Sequence, residues 1–258
     1  MKTLKRLALA TIIVLVCIYA NLAQAQLLRR ATAVRTPVYS VTTPEKSLFN
    51  GEDLTGWITV LGSTDITGWE VEDGMIHLEY RSGDIVTDRE YTNFILDFDW
   101  KISPGGNSGV KYKFCNFDGS WLGCEYQILD DLGTREGSSE KHRTADLYDI
   151  IPSKPGKPLN PVDEFNHSRI VVNGRRIQHW LNGMLVVDVC VGSPTWEKAF
   201  AESKFREHPC FGKVSGGKIL LQDHGGEVWF KNITIREIET VKSVPVQHPR
   251  LLRLKFRG

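Results

Sequence analysis

The clearest alternation of polar and apolar positions in the chain lies at 107–131. Asn107, Gly109, Lys111 and Lys113 fall on one side of an extended segment, and Ser108, Val110, Tyr112 and Phe114 on the other, because strand side chains alternate with period two. Glu125 and Gln127 alternate in the same way with Tyr126 and Ile128. Paired as a hairpin, these strands gather two ammoniums, a carboxylate and an amide on one sheet face. Such a face reads as the floor of a binding site. Upstream, Phe94, Leu96, Phe98 and Trp100 alternate with Ile95, Asp97, Asp99 and Lys101, which predicts a strand with one strongly buried face. Asp73-Gly74 predicts a hairpin between 69–72 and 75–80. Asn173-Gly174 and Asn182-Gly183 predict two more, because a tight two-residue turn requires φ > 0 at both central positions. Ser193-Pro194 can cap a helix over about 195–205, and 218–222 and 228–235 read as the last strands. Many short strands, tight turns and little helix predict an all-β fold: a two-sheet antiparallel β-sandwich with one short helical insert.

The ends of the chain have a different character. Residues 1–25 carry Lys2, Lys5 and Arg6, then an apolar run, then Ala23-Gln24-Ala25, the layout of a cleaved signal peptide. An uncleaved anchor is the alternative, but the run is short for a bilayer span and a cleavage motif follows it. The expected location is therefore periplasmic or secreted, with no membrane association after cleavage. Residues 26–46 read as a linker, 47–238 as the domain, and 239–258 as a basic, disordered tail. The loop 132–164 is long for a compact domain, which usually marks a functional or a disordered segment.

Dividing the charge by region changes the picture. The whole chain carries +1, yet both ends are basic and 41–238 carries about −9, which argues against a nucleic-acid partner. Cys115, Cys124, Cys190 and Cys210 remain after signal cleavage, an even number that permits two disulfides in an oxidising compartment. Local pairing, 115 with 124 and 190 with 210, is the expectation; four free thiols is the alternative.

Several short motifs occur together in a fixed order: Leu48-Phe49-Asn50-Gly51 with Gly56-Trp57, Asn107-Ser108-Gly109, Glu125-Tyr126-Gln127-Ile128-Leu129-Asp130, Trp180-Leu181-Asn182-Gly183, Leu221-Gln222-Asp223-His224-Gly225 and Phe230-Lys231-Asn232-Ile233. Together they resemble the 3-keto-disaccharide hydrolase domain family over about 47–238. The resemblance implies a concanavalin A-like jelly roll and action on glycosides whose sugar carries a ketone at C3. Two positions depart from that pattern: Lys113 stands where many relatives carry arginine, and Asn166 where tryptophan is usual.

A C3 ketone acidifies the hydrogen on C2. A base can remove it, the C1 leaving group departs by β-elimination, and water can add back to complete a hydrolysis. Such a site needs a base near C2, a cation or donor at the C3 oxygen, and an acid near the glycosidic oxygen. His142 is the candidate base because it titrates in the useful range, with a plain loop histidine as the alternative. Glu125 is a candidate acid or base, and Lys113 and Lys111 are candidates to stabilise the oxyanion. His224 is either catalytic or part of a strand-connecting turn. Asn107, Lys111, Gln127, Tyr148, Trp180 and Gln222 are the expected substrate-binding residues, with a carbohydrate as the partner. No cofactor is required, although Asp130 and Asp131 offer carboxylates for a divalent cation. Two other functions fit parts of the pattern: an ordinary retaining glycosidase, which needs paired carboxylates, and a non-catalytic carbohydrate-binding module using Trp57, Trp121 or Trp180.

Overall fold

The computed structural model describes residues 40–41 and 43–239. The expected signal peptide, most of the expected linker and the expected tail beyond 239 lie outside the described residues. Within them the strands are β1 (Ser40–Val41), β2 (Lys46–Ser47), β3 (Trp57–Thr59), β4 (Trp69–Glu72), β5 (Met75–Leu78), β6 (Ile85–Thr87), β7 (Phe94–Ile102), β8 (Asn107–Phe117), β9 (Ser120–Leu129), β10 (Asn166–Asn173), β11 (Arg176–Leu181), β12 (Met184–Cys190), β13 (Lys218–Leu221) and β14 (Val228–Glu239). One helix, α1 (Pro194–Ala201), interrupts them, with Ser193 Oγ accepting from the Trp196 N–H as its cap.

The strands form two antiparallel sheets. The larger has nine strands in the order β12-β11-β10-β7-β14-β5-β4, with β1 and β2 also on β14; the smaller has the order β3-β6-β13-β8-β9. The two-sheet antiparallel sandwich expected from the alternation is therefore present. One departure concerns the start of the domain. β1 pairs with Ile238 and Glu239, and β2 with Thr234 and Ile235, so part of the stretch read as linker belongs to the sheet. These segments show no alternation. They are recruited because β14 outruns β5, which pairs only with Val228 to Phe230, and the remaining backbone groups of that edge need partners.

The inter-sheet core takes Phe94, Leu96, Phe98 and Trp100 from β7, as the alternation predicts, and Tyr112, Tyr126 and Ile128 from the facing sheet. Asp73 and Gly74 both have positive φ in the β4–β5 turn, as do Asn182 and Gly183 between β11 and β12. The other Asn-Gly step sits one residue earlier than expected: Asn173 pairs with Arg176, so Gly174 and Arg175 are the central pair.

Ser168 and His179, two polar side chains buried between the sheets, are paired. Ser168 Oγ lies 2.8 Å from both Trp100 Nε1 and the Tyr126 hydroxyl. His179 is fully buried, with Nδ1 at 3.0 Å from the Ala145 carbonyl and Nε2 at 2.8 Å from the Tyr112 hydroxyl. Nδ1 therefore carries the proton and donates to the carbonyl, while Nε2 accepts from Tyr112. The long loop is ordered by backbone pairing along the free edge of β9. Ala145 N–H donates to the Gln127 carbonyl (2.8 Å), and Tyr148 N–H donates to the Glu125 carbonyl (3.0 Å).

Cys115, Cys124, Cys190 and Cys210 are free thiols. Cys124 stands opposite Tyr112 and faces the core, whereas Cys115 lies beyond a register shift and stands opposite Leu122, so the expected local bridge does not form. Cys190 and Cys210 are both exposed and likewise unbridged.

Burial holds the His179 pKa at about 4, below its ordinary 6.5, so the folded chain resists protonation there. A depressed pKa contributes stability that is fully present above 6.5 and is lost as pH falls toward 4. Between pH 7 and 4.5 this costs about 2–3 kcal/mol. Urea unfolding of His179→Leu should show lower stability than the parent at pH 7 but a smaller loss on acidification; parallel losses would contradict the assignment.

Candidate active site

The outward face of the smaller sheet carries the polar set anticipated for 107–131. Lys111 on β8 stands directly opposite Glu125 on β9, with Nζ 3.8 Å from Oε2. Glu125 is only 6% exposed, so its carboxylate is held on the sheet surface largely away from water. Gly109 makes this placement possible: a methyl group at that position would lie 2.7 Å from Glu125 Oε1. Gln127 stands opposite Gly109, and Asn107 lies one further step along the same face. Gln222 follows β13 and is fixed beside them, its N–H donating to the Gly109 carbonyl (2.9 Å) and its own carbonyl accepting from Ser108 Oγ (2.8 Å).

These residues floor a cleft of about 130 Å³ that Tyr148, Lys204, Phe205, His224 and Trp121 also line. Tyr148 arrives on the loop docked against β9. Lys204 follows α1, where its N–H donates to Asp149 Oδ2 (2.7 Å) and its Nζ stands 4.2 Å from the Tyr148 ring centroid. Trp121 is 44% exposed and stacks on Phe114, with ring centroids 5.5 Å apart, which leaves its other face open as an aromatic platform.

Burial raises the Glu125 pKa above the usual glutamate value, against the opposing pull of Lys111 and then Lys204. Burial likewise lowers the Lys204 pKa, opposed by Glu125 and Asp149. Asp84, which belongs to the same electrostatic group, is also raised by burial, with Lys111 pulling it back. A carboxylate and an ammonium with pKa values moved toward neutrality, side by side, are suited to proton transfer. Two acceptors in the cleft, Asn107 Oδ1 and Gln222 Oε1, are buried without a hydrogen-bond partner. Buried polar atoms are rarely left so, and hydroxyl donors from a ligand would satisfy both.

Seven of the residues expected from sequence are thus together: Asn107, Lys111, Glu125, Gln127, Tyr148, Gln222 and His224. Five others are elsewhere. Lys113 should share the face of Lys111 by alternation, but it has φ of 51° and sits in the register shift between Tyr112 and Cys115. This bulge turns its side chain away, and its ammonium donates to the Val214 carbonyl at 2.6 Å. His142 lies behind the cleft wall. Its Nδ1 is 2.7 Å from Glu136 and its Nε2 3.2 Å from Asp149, while its ring stacks on Tyr148 at 4.5 Å. It positions Tyr148, whose hydroxyl also donates to Glu136 (2.8 Å), rather than facing the cleft. Trp180 is on the other sheet: Ile177, His179 and Leu181 turn inward on β11, so Trp180 faces outward from the larger sheet.

Asp130 and Asp131 are engaged in loop structure. Asp130 accepts from the N–H groups of Gly105, Leu132 and Gly133, which hold its pKa below the usual value. Asp131 accepts from the Thr144 N–H (2.7 Å) and pairs with Lys157 (2.8 Å). Asp223, next to His224, accepts from the N–H groups of Ser82 and Gly83 and so ties its turn to the segment before β6. Sequence reasoning does not reach Lys204, Phe205 or Asp84. Lys204 and Phe205 follow a short helix in no recognisable motif, and Asp84 precedes a three-residue strand.

Known proteins resemble the chain over this domain. A 3-keto-disaccharide hydrolase of Bacteroides thetaiotaomicron is 28% identical over 227 residues, covering 75% of this chain and 78% of that protein. A crystal structure from Parabacteroides distasonis, assigned as a glycosyl hydrolase, is 34% identical and covers 78% of this chain and all of its own, with a TM-score of 0.70. A second structure from the same organism, assigned likewise, is 30% identical and covers 76% of this chain and all of its own, with a TM-score of 0.60. The family model for the 3-keto-alpha-glucoside-1,2-lyase-like domain matches residues 44–236, nearly the whole two-sheet domain, and the chain belongs to that family.

Proposed function

We propose that the cleft cleaves glycosides whose sugar is oxidised at C3, beginning with removal of the C2 proton by Glu125. The observation that carries this reading is a buried carboxylate with a raised pKa flanked by two ammoniums, in a cleft with two unsatisfied acceptors. The family membership and the name of the Bacteroides relative support a keto-glycoside as substrate.

The chemistry follows from the residues. Glu125 takes the proton from C2, and the electron pair moves into the carbonyl to give an enolate at the C3 oxygen. Lys111, and Lys204 across from it, lower the energy of that oxyanion in a site where water is scarce and charges interact strongly. The enolate re-forms the ketone as the C1–O bond breaks, leaving a double bond between C1 and C2. His224, at the rim, can protonate the departing oxygen. Addition of water at C1, its proton passing to His224 while the proton on Glu125 returns to C2, completes a net hydrolysis; release before that step makes the reaction a lyase. Asn107, Gln127 and Gln222 hold sugar hydroxyls, and the open face of Trp121 receives the leaving group by stacking.

Incubation with a 3-keto-glucoside and with its unoxidised parent tests the reading. Aglycone release from the keto compound alone is expected; release from both would indicate an ordinary glycosidase, and binding without release a carbohydrate-binding module. Glu125→Gln should lower kcat by about a hundredfold or more. His142→Ala should cost less than about tenfold, because it acts only through Tyr148; a loss equal to that of Glu125→Gln would return His142 to the proton-transfer step. Because Glu125 must be ionised to act, kcat/KM should fall on acidification, and the raised pKa places that acid limb above the ordinary glutamate value. An acid limb at or below that value would exclude Glu125 as the base.

A further inference from the structure

On the opposite side of the molecule, the outer face of the larger sheet carries a second cluster of donors. Glu70 and Glu72 lie two residues apart on β4 and therefore share a face, and His77 on β5 stands directly opposite Glu70. Their ligand atoms all lie within 4.8 Å of one another. The two glutamates are exposed, but His77 is only 5% exposed, buried against Trp229, whose ring stacks on it at 4.5 Å and 8°. Both His77 ring nitrogens are buried without a hydrogen-bond partner. A buried imidazole with neither nitrogen satisfied is costly, and native proteins seldom keep one without a reason.

The spacing supplies the reason. His77 Nδ1 stands 3.4 Å from Glu70 Oε1 and 3.3 Å from Glu72 Oε2, too poorly aimed for hydrogen bonds. Two donor atoms each about 2.0–2.1 Å from a tetrahedral cation are separated by about 3.3–3.4 Å. On the far side of the ring, Glu227 Oε1 lies 3.4 Å from His77 Nε2, near enough that a small shift would give the hydrogen bond by which a carboxylate fixes the tautomer of a metal-bound histidine. Glu72 Oε2 is itself held by Trp229 Nε1 at 3.4 Å.

We propose that Glu70, Glu72 and His77 form a site for a divalent cation of the zinc type, with one nitrogen donor, two carboxylate oxygens and an open position. It is separate from the cleft and independent of the reaction there. The cation ties β4, which ends the larger sheet, to β5 and, through Glu227, to the start of β14.

The test uses the purified full chain stripped with a chelator, then titrated with Zn²⁺ in competition with a chromophoric indicator, alongside thermal unfolding with and without Zn²⁺. One equivalent should bind and raise the unfolding midpoint. Glu70→Gln, an exposed change that leaves the sheet intact, should weaken that binding by about tenfold or more and remove most of the thermal shift. His77→Gln should abolish both. Absence of binding to the parent chain would overturn the proposal, as would equal affinity in Glu70→Gln, which would place the cation elsewhere.

Discussion

The site depends on keeping one carboxylate out of water on an open sheet face. Glu125 is buried although it points away from the inter-sheet core, and burying a lone carboxylate is expensive unless charge or hydrogen bonds compensate. The surroundings answer that cost in three ways. Gly109 leaves the volume that its side chain occupies, Lys111 stands opposite with its ammonium at 3.8 Å, and Lys204 is brought over from the far side of the cleft. The compensation is incomplete, since the Glu125 pKa still rises. That uncompensated burial is the ground on which Glu125 is proposed as the base.

The rest of the fold can be understood as support for this arrangement. The larger sheet supplies an apolar backing whose internal polar groups, Ser168 and His179, are paired and so fix the hairpin strands through Tyr126 and Tyr112. The loop after β9 does two jobs with one set of hydrogen bonds. It covers the free edge of the smaller sheet, which would otherwise expose unpaired backbone groups, and it delivers Tyr148 to the cleft wall. Behind that wall His142, Glu136 and Asp149 brace Tyr148 and the backbone of Lys204, so the cleft is lined by side chains with supported positions.

Period-two alternation makes much of this legible in the sequence. It located the floor, paired Lys111 with the neighbourhood of Glu125 and Gln127, and identified the buried face of β7. It failed at Lys113 for a definite reason. One residue with positive φ resets the parity of the strand, and lysine carries no signal for that conformation, whereas Asp73-Gly74 and Asn182-Gly183 do. Trp180 was misplaced because alternation assigns a face within a strand but does not say which sheet the strand joins. His142 has the right chemistry in the right loop, yet two carboxylates hold it one layer behind the cleft. Lys204 is the opposite case: a residue without local pattern that only the tertiary fold brings to the site.

The most direct measurement of the central claim isolates the first proton transfer from bond cleavage. A 3-keto-1,5-anhydro sugar has no glycosidic leaving group at C1, so in deuterated water removal of its C2 hydrogen is read as exchange without glycoside cleavage, which NMR follows position by position. If Glu125 removes the C2 proton, the parent chain will speed exchange at C2 and Glu125→Gln will not. Exchange that proceeds equally well in Glu125→Gln, or none above the uncatalysed rate in the parent, would contradict the assignment of this buried carboxylate as the base.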